Sequence, residues 1–92
     1  MNNGIIVCGF GHVGSRIVKL LNGLGEKVSV IYDEASSEWI QQAEKQGATC
    51  FKGNACDERL LEKAGVKNAR TIIAATNSDT TNLSIIMDAR RL

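Results

Sequence analysis

The stretch that decides the fold lies near the start of the chain and reads Ile5-Ile6-Val7-Cys8-Gly9-Phe10-Gly11-His12-Val13-Gly14. Its first four residues form a continuous apolar run, which is typical of a parallel strand covered on both faces. The rest has the spacing Gly-x-Gly-x-x-Gly, and an apolar-periodic segment follows from Ile17 to Leu24. This order of strand, glycine turn and helix predicts a turn that holds the phosphates of a nucleotide.

The three glycines of this turn answer separate steric demands. Gly9 allows the tight exit from the strand, Gly11 lets the backbone approach a pyrophosphate, and Gly14 lets the helix pack closely on the strand. The free N–H groups and the dipole at the helix start favour an anion there. The alternative is a glycine-rich turn that binds nothing. The candidate cofactor-binding residues of the turn are Gly9, Phe10, Gly11, His12, Val13 and Gly14.

Composition restricts the function classes. A chain of 92 residues with a net charge of +1 forms at most one small domain and carries no basic excess for nucleic acid. No segment reaches the roughly 18–20 apolar residues that span a bilayer, so we expect a cytoplasmic domain that does not insert into the membrane. Cys8, Cys50 and Cys56 form no Cys-x-x-Cys pair, and we expect neither a metal site nor disulfides.

Periodicity along the chain predicts four strands alternating with four helices. The predicted strands cover Ile5–Cys8, Val28–Tyr32, Ala48–Lys52 and Thr71–Thr76, and the predicted helices cover 12–23, 37–46, 58–64 and 80–92. We expect Gly25 to end the first helix, with Gly23 as the alternative, and Asp57 to cap the third.

Spacing along the helices predicts which side chains are buried. In the first helix the predicted buried stripe consists of Val13, Ile17, Leu20, Leu21 and Leu24, and the predicted solvent side consists of Arg16, Lys19 and Asn22. Trp39, Ile40 and Ala43 supply the predicted apolar face of the second helix.

Strict alternation of strands and helices indicates an α/β fold with a parallel sheet between two helical layers. The expected strand order is 3-2-1-4, the Rossmann-like arrangement, over one domain spanning residues 1–92. This order places the glycine turn at the switch point of the sheet, where ligands bind.

Four blocks in order resemble the potassium-transport nucleotide-binding domains, also called RCK or TrkA-N domains. The first is Ile6 to Gly14, already quoted, and the second is Gly47-Ala48-Thr49 with Gly53-Asn54-Ala55-Cys56-Asp57, similar to the family's Gly-Asp-Ala-Thr-Asp signature. The third is Leu60-Leu61-Glu62-Lys63-Ala64-Gly65-Val66 followed by Ala69-Arg70-Thr71-Ile72-Ile73-Ala74-Ala75-Thr76. The fourth is Asn77-Ser78-Asp79-Thr80-Thr81-Asn82-Leu83.

The resemblance implies a regulatory domain that binds NAD(H) or an adenine nucleotide and controls a potassium channel or potassium uptake transporter by a ligand-dependent conformational change. It implies a homodimer or higher oligomer and a membrane channel or transporter subunit as partner. The sequence shows no spare histidine and no pairing of a nucleophile with a base, so we expect no catalytic residues. The family domain continues for further strand–helix units, so we expect this chain to be part of a longer one. The alternatives are the cofactor-binding part of an NAD-dependent oxidoreductase and a nucleotide-free scaffold for assembly.

Acidic residues after the second strand are candidates for binding the ribose of the nucleotide. Family members place an aspartate at the end of that strand, where this chain has Tyr32, with Asp33 one residue later and Glu34 next. A carboxylate there favours an unphosphorylated ribose, which points to NAD or NADH, with ATP, ADP or AMP as alternatives. The other interpretation is that both acids are solvated or cap the next helix.

The resemblance also carries over residues near the other strand ends. Asn54, Ala55 and Cys56 stand in the second block, where family members have aspartate and threonine at the first and third of these positions. Thr76 and Asp79 would face the phosphate or nicotinamide half of the ligand, or else end the strand and cap the next helix.

His12 lies in the first turn of the predicted helix. A histidinium is disfavoured by the helix dipole there but favoured by a bound pyrophosphate. It is either a pH-dependent phosphate contact or an exposed turn residue.

Overall fold

The computed structural model describes residues 4–54 and 57–76. In this part of the chain, strands and helices alternate in the order β1 (Ile5–Cys8), α1 (His12–Gly23), β2 (Val28–Tyr32), α2 (Ser37–Lys45), β3 (Thr49–Lys52), α3 (Glu58–Lys63), a short 3-10 helix (Val66–Asn68) and β4 (Thr71–Ala74). The predicted strands and the first three predicted helices are therefore present, with small differences at their ends. The predicted helix from Thr80 to Leu92 lies outside the described residues.

The four strands form one parallel sheet in the order β3-β2-β1-β4, as the sequence predicts. β1 occupies an interior position, where Ile5 pairs with Val28 of β2 and with Thr71 of β4. β2 pairs on its other side with β3, so that Tyr32 lies opposite Lys52. Right-handed crossovers place successive connections on both faces of such a sheet, which explains why the interior strand β1 is apolar and buried along its whole length.

Alternate residues of β1 belong to two separate cores. Ile5 and Val7 pack with Val18 of α1 and with Ile40 and Ala43 of α2 on one face. On the other face, two further residues of β1 pack with a residue of β2 and with α3 and the turn after it, namely Ile6, Cys8, Ile31, Leu61, Ala64 and Val66. The sheet thus lies between α1 and α2 on one side and α3 on the other.

The buried face of α1 differs from the predicted one. Gly14 and Val18 are the buried residues of this helix, and Ile17 and Leu21 pack partly against the core. The predicted stripe is wrong at three positions, because Val13, Leu20 and Leu24 are 63%, 65% and 69% exposed. The close contact of Gly14 with the glycine turn rotates the helix, so Gly14 and Val18 rather than Val13 and Leu20 face the sheet. Asn22, predicted to face solvent, is half-buried.

Several other local predictions are confirmed or adjusted. The Asp57 carboxylate accepts a hydrogen bond from the Arg59 N–H at 3.0 Å, which is the expected cap of α3. α1 covers His12–Gly23 as predicted, and Gly25 is the expected glycine that ends it, following the C-cap Leu24 with a left-handed φ of +79°. Ile40 and Ala43 are buried as predicted, whereas Trp39 is 37% exposed.

No helix among residues 4–54 and 57–76 combines the length and the apolar character needed to cross a membrane.

Candidate functional site

The glycine turn is held between the carboxyl ends of two neighbouring strands. The Gly9 N–H donates to the carbonyl of Ile31 in β2 at 2.8 Å, and the Ala75 N–H donates to the carbonyl of Cys8 at 2.8 Å. These bonds extend the ladder beyond β1 on both sides. The turn therefore sits at the switch point of the sheet, where nucleotide sites of this fold class occur.

Two of the three glycines are required by the protein itself. Gly9 has φ +103°, and a Cβ on it would lie 2.6 Å from the carbonyl oxygen of Ala75. A Cβ on Gly14 would lie 2.1 Å from the carbonyl oxygen of Gly9. Both contacts involve backbone atoms, which cannot rotate away as a side chain could. The segment after β4 therefore excludes a larger residue at position 9, and the turn itself excludes one at position 14.

Gly11, unlike Gly9 and Gly14, has open space where a side chain would be. A Cβ on it would meet no atom within 4 Å, and its φ of −84° suits any L-residue. Gly11 is the N-cap of α1, no side chain caps this helix end, and its first turn holds no acidic residue. The first N–H to bond back into the helix start is that of Ser15, which donates to the Gly11 carbonyl at 2.9 Å. The N–H groups before it have no partner within the helix, so they form a cradle for an anion.

The other residues of the turn point in different directions. The Phe10 side chain is 4% exposed and belongs to the core on the α1 side. His12 and Val13 are exposed, and the His12 ring contacts Trp39 edge to face with a centroid distance of 5.5 Å. The contact between His12 and Trp39 joins the start of α1 to α2, and nothing in the sequence spacing predicts it.

The acidic residues after β2 line a cleft next to α2 and the end of β3. Tyr32 is the last residue of β2 and is half-buried, and Asp33 and Glu34 follow it and are exposed. All three line a cleft of about 490 Å³ that also includes Glu44 of α2 and Lys52 of β3. Its lining contains no residue of the glycine turn, so this cleft does not bring the predicted ribose-binding acids together with the predicted phosphate-binding residues.

The remaining predicted positions are at the ends of β3 and β4. Asn54 is exposed, and its carbonyl accepts from the N–H of Asp57 at 2.9 Å. Thr76 is half-buried and close to the turn, since its backbone N would lie 2.9 Å from a Cβ on Gly9. Ala75 was not predicted as a site residue, but its carbonyl oxygen is closer still, at 2.6 Å from a Cβ on Gly9. Ala55, Cys56 and Asp79 lie outside the described residues.

The cysteines of the described ranges are free thiols. Cys8 is buried in β1, and Cys50 is half-buried in β3. Burial raises the pKa of the Cys50 thiol to about 11, and the negative charge of Glu44 adds to this effect. A thiol with such a pKa is a poor nucleophile near neutral pH. Within residues 4–54 and 57–76, no group of three or more histidine, cysteine or acidic residues is placed so that it could hold a metal ion.

A family model for the TrkA-N domain matches residues 5–92. The chain belongs to the TrkA-N domain family.

Curated relatives of this TrkA-N domain are named as potassium transport proteins. It is 29% identical over 89 residues to the Trk system potassium uptake protein TrkA homolog of Pyrococcus horikoshii, covering 96% of this chain and 38% of that protein. It is 26% identical over 94 residues to potassium channel protein 1 of Methanocaldococcus jannaschii, covering 100% of this chain and 28% of that protein. The TrkA-N domain thus spans less than two fifths of the length of either relative.

Solved structures share the fold of this TrkA-N domain. The Kef C-terminal domain of Shewanella denitrificans in its AMP-bound form superposes with a TM-score of 0.82 at 27% identity, over 97% of this chain and 51% of that one. The TrkA-N domain of inner membrane protein ybaL from Escherichia coli gives a TM-score of 0.85 at 23% identity, over 99% of this chain and 66% of that one.

Proposed function

We propose that this TrkA-N domain is a regulatory nucleotide-binding domain. NAD(H) or an adenine nucleotide binds at the glycine turn, and binding changes the arrangement of paired domains. That change controls a potassium channel or potassium uptake transporter, because the ligand has different affinities for two states of the assembly. The observation that carries the proposal is the open space around Gly11.

Gly11 is a glycine that the described protein does not itself need. Gly9 and Gly14 are explained by backbone contacts within 2.6 Å of a Cβ, but Gly11 has no such contact and no left-handed φ. A ligand backed against the turn supplies the missing reason, since a side chain there would occupy the place of its pyrophosphate.

The ligand chemistry follows from the groups near the turn. The N–H groups at the start of α1 hold the phosphates, and the exposed carboxylate of Asp33 or Glu34, with Tyr32 beside it, accepts from the ribose hydroxyls. A 2′-phosphate would meet like charge at that place, so NAD(H) is preferred over NADP(H). The AMP in the related Kef domain supports adenosine phosphates as the alternative ligands.

The outer residues of the site follow from the family resemblance. Thr76 next to Gly9 and Asn54 after β3 complete it, together with Ala55, Cys56 and Asp79. Phe10 contributes its backbone, since its side chain belongs to the core.

The potassium link is supported by the relatives that carry this domain in an uptake protein and in a channel. By that likeness the domain acts on the cytoplasmic side as a homo-oligomer, bound or fused to a membrane subunit. It acts as a sensor and carries out no reaction.

Calorimetry with NAD, NADH, NADPH, ATP, ADP and AMP tests the nucleotide site. A ligand at a hundred times its Kd should stabilise the domain by about 2.7 kcal/mol, which thermal unfolding readily detects. The Gly11→Val variant should keep its fold and lose binding. The matched control is Gly23→Val at the other end of α1, where a Cβ also meets no atom within 4 Å, and it should bind as the unmodified protein does.

The alternatives give different outcomes. Binding of NADPH alone contradicts the role of Asp33 and Glu34 and favours the cofactor-binding part of an oxidoreductase. If no nucleotide binds at all, the scaffold interpretation replaces the sensor.

A further inference from the structure

We propose that a cleft between α1 and α2 is a second ligand site, which takes a small aromatic carboxylate. The cleft has a volume of about 170 Å³ and opens to solvent on the face of the sheet that α1 and α2 cover. It lies along the two helices rather than at the carboxyl ends of the strands. This inference goes beyond the proposed nucleotide site and does not depend on it.

The cleft has a rigid apolar floor and an aromatic wall. Phe10, Val18 and Ala43 line it, and all three are core residues that are less than 5% exposed. Trp39 also lines it, and the His12 ring holds the indole edge to face while more than a third of Trp39 remains exposed. A pre-formed cleft with an apolar floor and an accessible indole suits an aromatic ring, which gains both buried area and ring contacts.

The rim of the cleft carries positive charge. Arg16 and Lys19 line it one helical turn apart, both are exposed, and neither forms an ion pair within the described ranges. No acidic residue lines this cleft, and Glu44 of α2 lines the cleft that Tyr32, Asp33 and Glu34 also line. Two like charges at this spacing repel each other on a helix, so an anion between them is stabilised by both.

Size limits the ligand to one ring and one charged group. Pockets for drug-sized ligands measure about 300–1,000 Å³, well above the volume of this cleft. Gln42 of α2 and its C-cap Gln46 line the same cleft as Arg16 and offer amide donors to the second carboxylate oxygen. The guanidinium of Arg16 matches a carboxylate through two parallel N–H donors.

The single tryptophan of the sequence makes the test direct. Titration of the full chain with phenylacetate should change Trp39 fluorescence and saturate. The uncharged phenylacetamide and the ringless acetate should bind at least tenfold more weakly, and binding should weaken with salt because the rim charges are exposed. Backbone NMR shifts should concentrate on the facing sides of α1 and α2.

The decisive variant is Arg16→Gln with Lys19→Gln, which should lower phenylacetate affinity at least tenfold. The matched control is Arg59→Gln with Lys63→Gln, which makes the same charge change on α3 at the opposite face of the sheet and should leave affinity unchanged. The Gly11→Val variant should also keep phenylacetate binding, so failure of the nucleotide site is distinguishable from failure of this one.

Three results would overturn the proposal. One is the absence of saturable binding of phenylacetate, and another is equal affinity for phenylacetamide. The third is a set of NMR shifts that moves Gly9, Gly11 and Gly14 but not Val18 or Ala43, which would place the ligand at the proposed nucleotide site instead.

Discussion

Gly11 and Gly14 belong to the same turn, yet their surroundings place opposite demands on a side chain. The space at Gly14 is filled by the Gly9 carbonyl, and the space at Gly11 is open. Stability and nucleotide binding should therefore separate between these two positions.

Gly14→Ala should lower the free energy of unfolding by about 3 kcal/mol, because the backbone of the turn at Gly9 must move away from α1 to admit the methyl group. Gly11→Ala should change it by less than about 1 kcal/mol, since its φ is ordinary and the site is open. Urea unfolding followed by circular dichroism measures both. Equal losses would contradict the separation between a packing glycine and a ligand-facing one.

Cys50 should make stability depend on pH in the alkaline range. Its folded pKa of about 11 lies above the ordinary value of 9.0, so the contribution is fully present below pH 9 and is lost as pH rises through 11. The melting temperature should therefore fall over that interval, and Cys50→Ala should fall less steeply. A thiol reagent at pH 8 should also react more slowly with Cys50 in the native protein than in urea.

At the scale of the element, α1 carries two apolar stripes, and only one faces the sheet. Helical spacing places Val13, Leu20 and Leu24 on one side and Gly14, Val18 and Leu21 on another. The small surface of Gly14 hides it from any hydrophobic pattern, so the pattern gives the period of the helix without its rotation.

Val18→Ala should cost about 2 kcal/mol of unfolding free energy, because it removes two buried methyl groups and leaves a cavity between α1 and the sheet. Leu20→Ala, on the exposed side, should cost less than about 0.5 kcal/mol. Thermal unfolding of the two variants compares the stripes. A larger loss of unfolding free energy in Leu20→Ala than in Val18→Ala would show that the buried stripe is the one predicted from the sequence.

The sequence was sufficient for the sheet and only partly sufficient for the site. Strands buried on both faces are continuous apolar runs, so β1, β2 and β4 and their order could be predicted from residues and alternation. The glycine spacing likewise located the turn between β1 and α1. The role of the Ala75 carbonyl and the contact between His12 and Trp39 could not be predicted, because both depend on how distant segments come together.

At the scale of the whole molecule, the described sheet has two edges of different character. Lys52 and Thr49 are exposed on β3, which suits an edge that avoids pairing. β4, on the other edge, has one exposed residue, Thr71, followed by half-buried isoleucines at 72 and 73. An apolar edge of this kind favours pairing with a further strand, from the same or another chain.

Sedimentation should therefore detect self-association that increases with protein concentration. Thr71→Lys should weaken it, because a lysine on an edge strand disfavours pairing with another chain. Thr49→Lys makes the same change on the β3 edge and should have little effect. A monomer at every concentration would argue against association through β4.

The position of β1 between β2 and β4 has a consequence for the order of folding. Ile5 pairs with Thr71, so one side of β1 remains unpaired until nearly the whole described chain has been synthesised. Parallel pairing between such distant segments is slow, because the loop must close before any contact is made. During synthesis, β1, β2 and β3 should form a metastable sheet in which β1 still lacks its β4 partner, and that nascent state is where chaperones would be needed most.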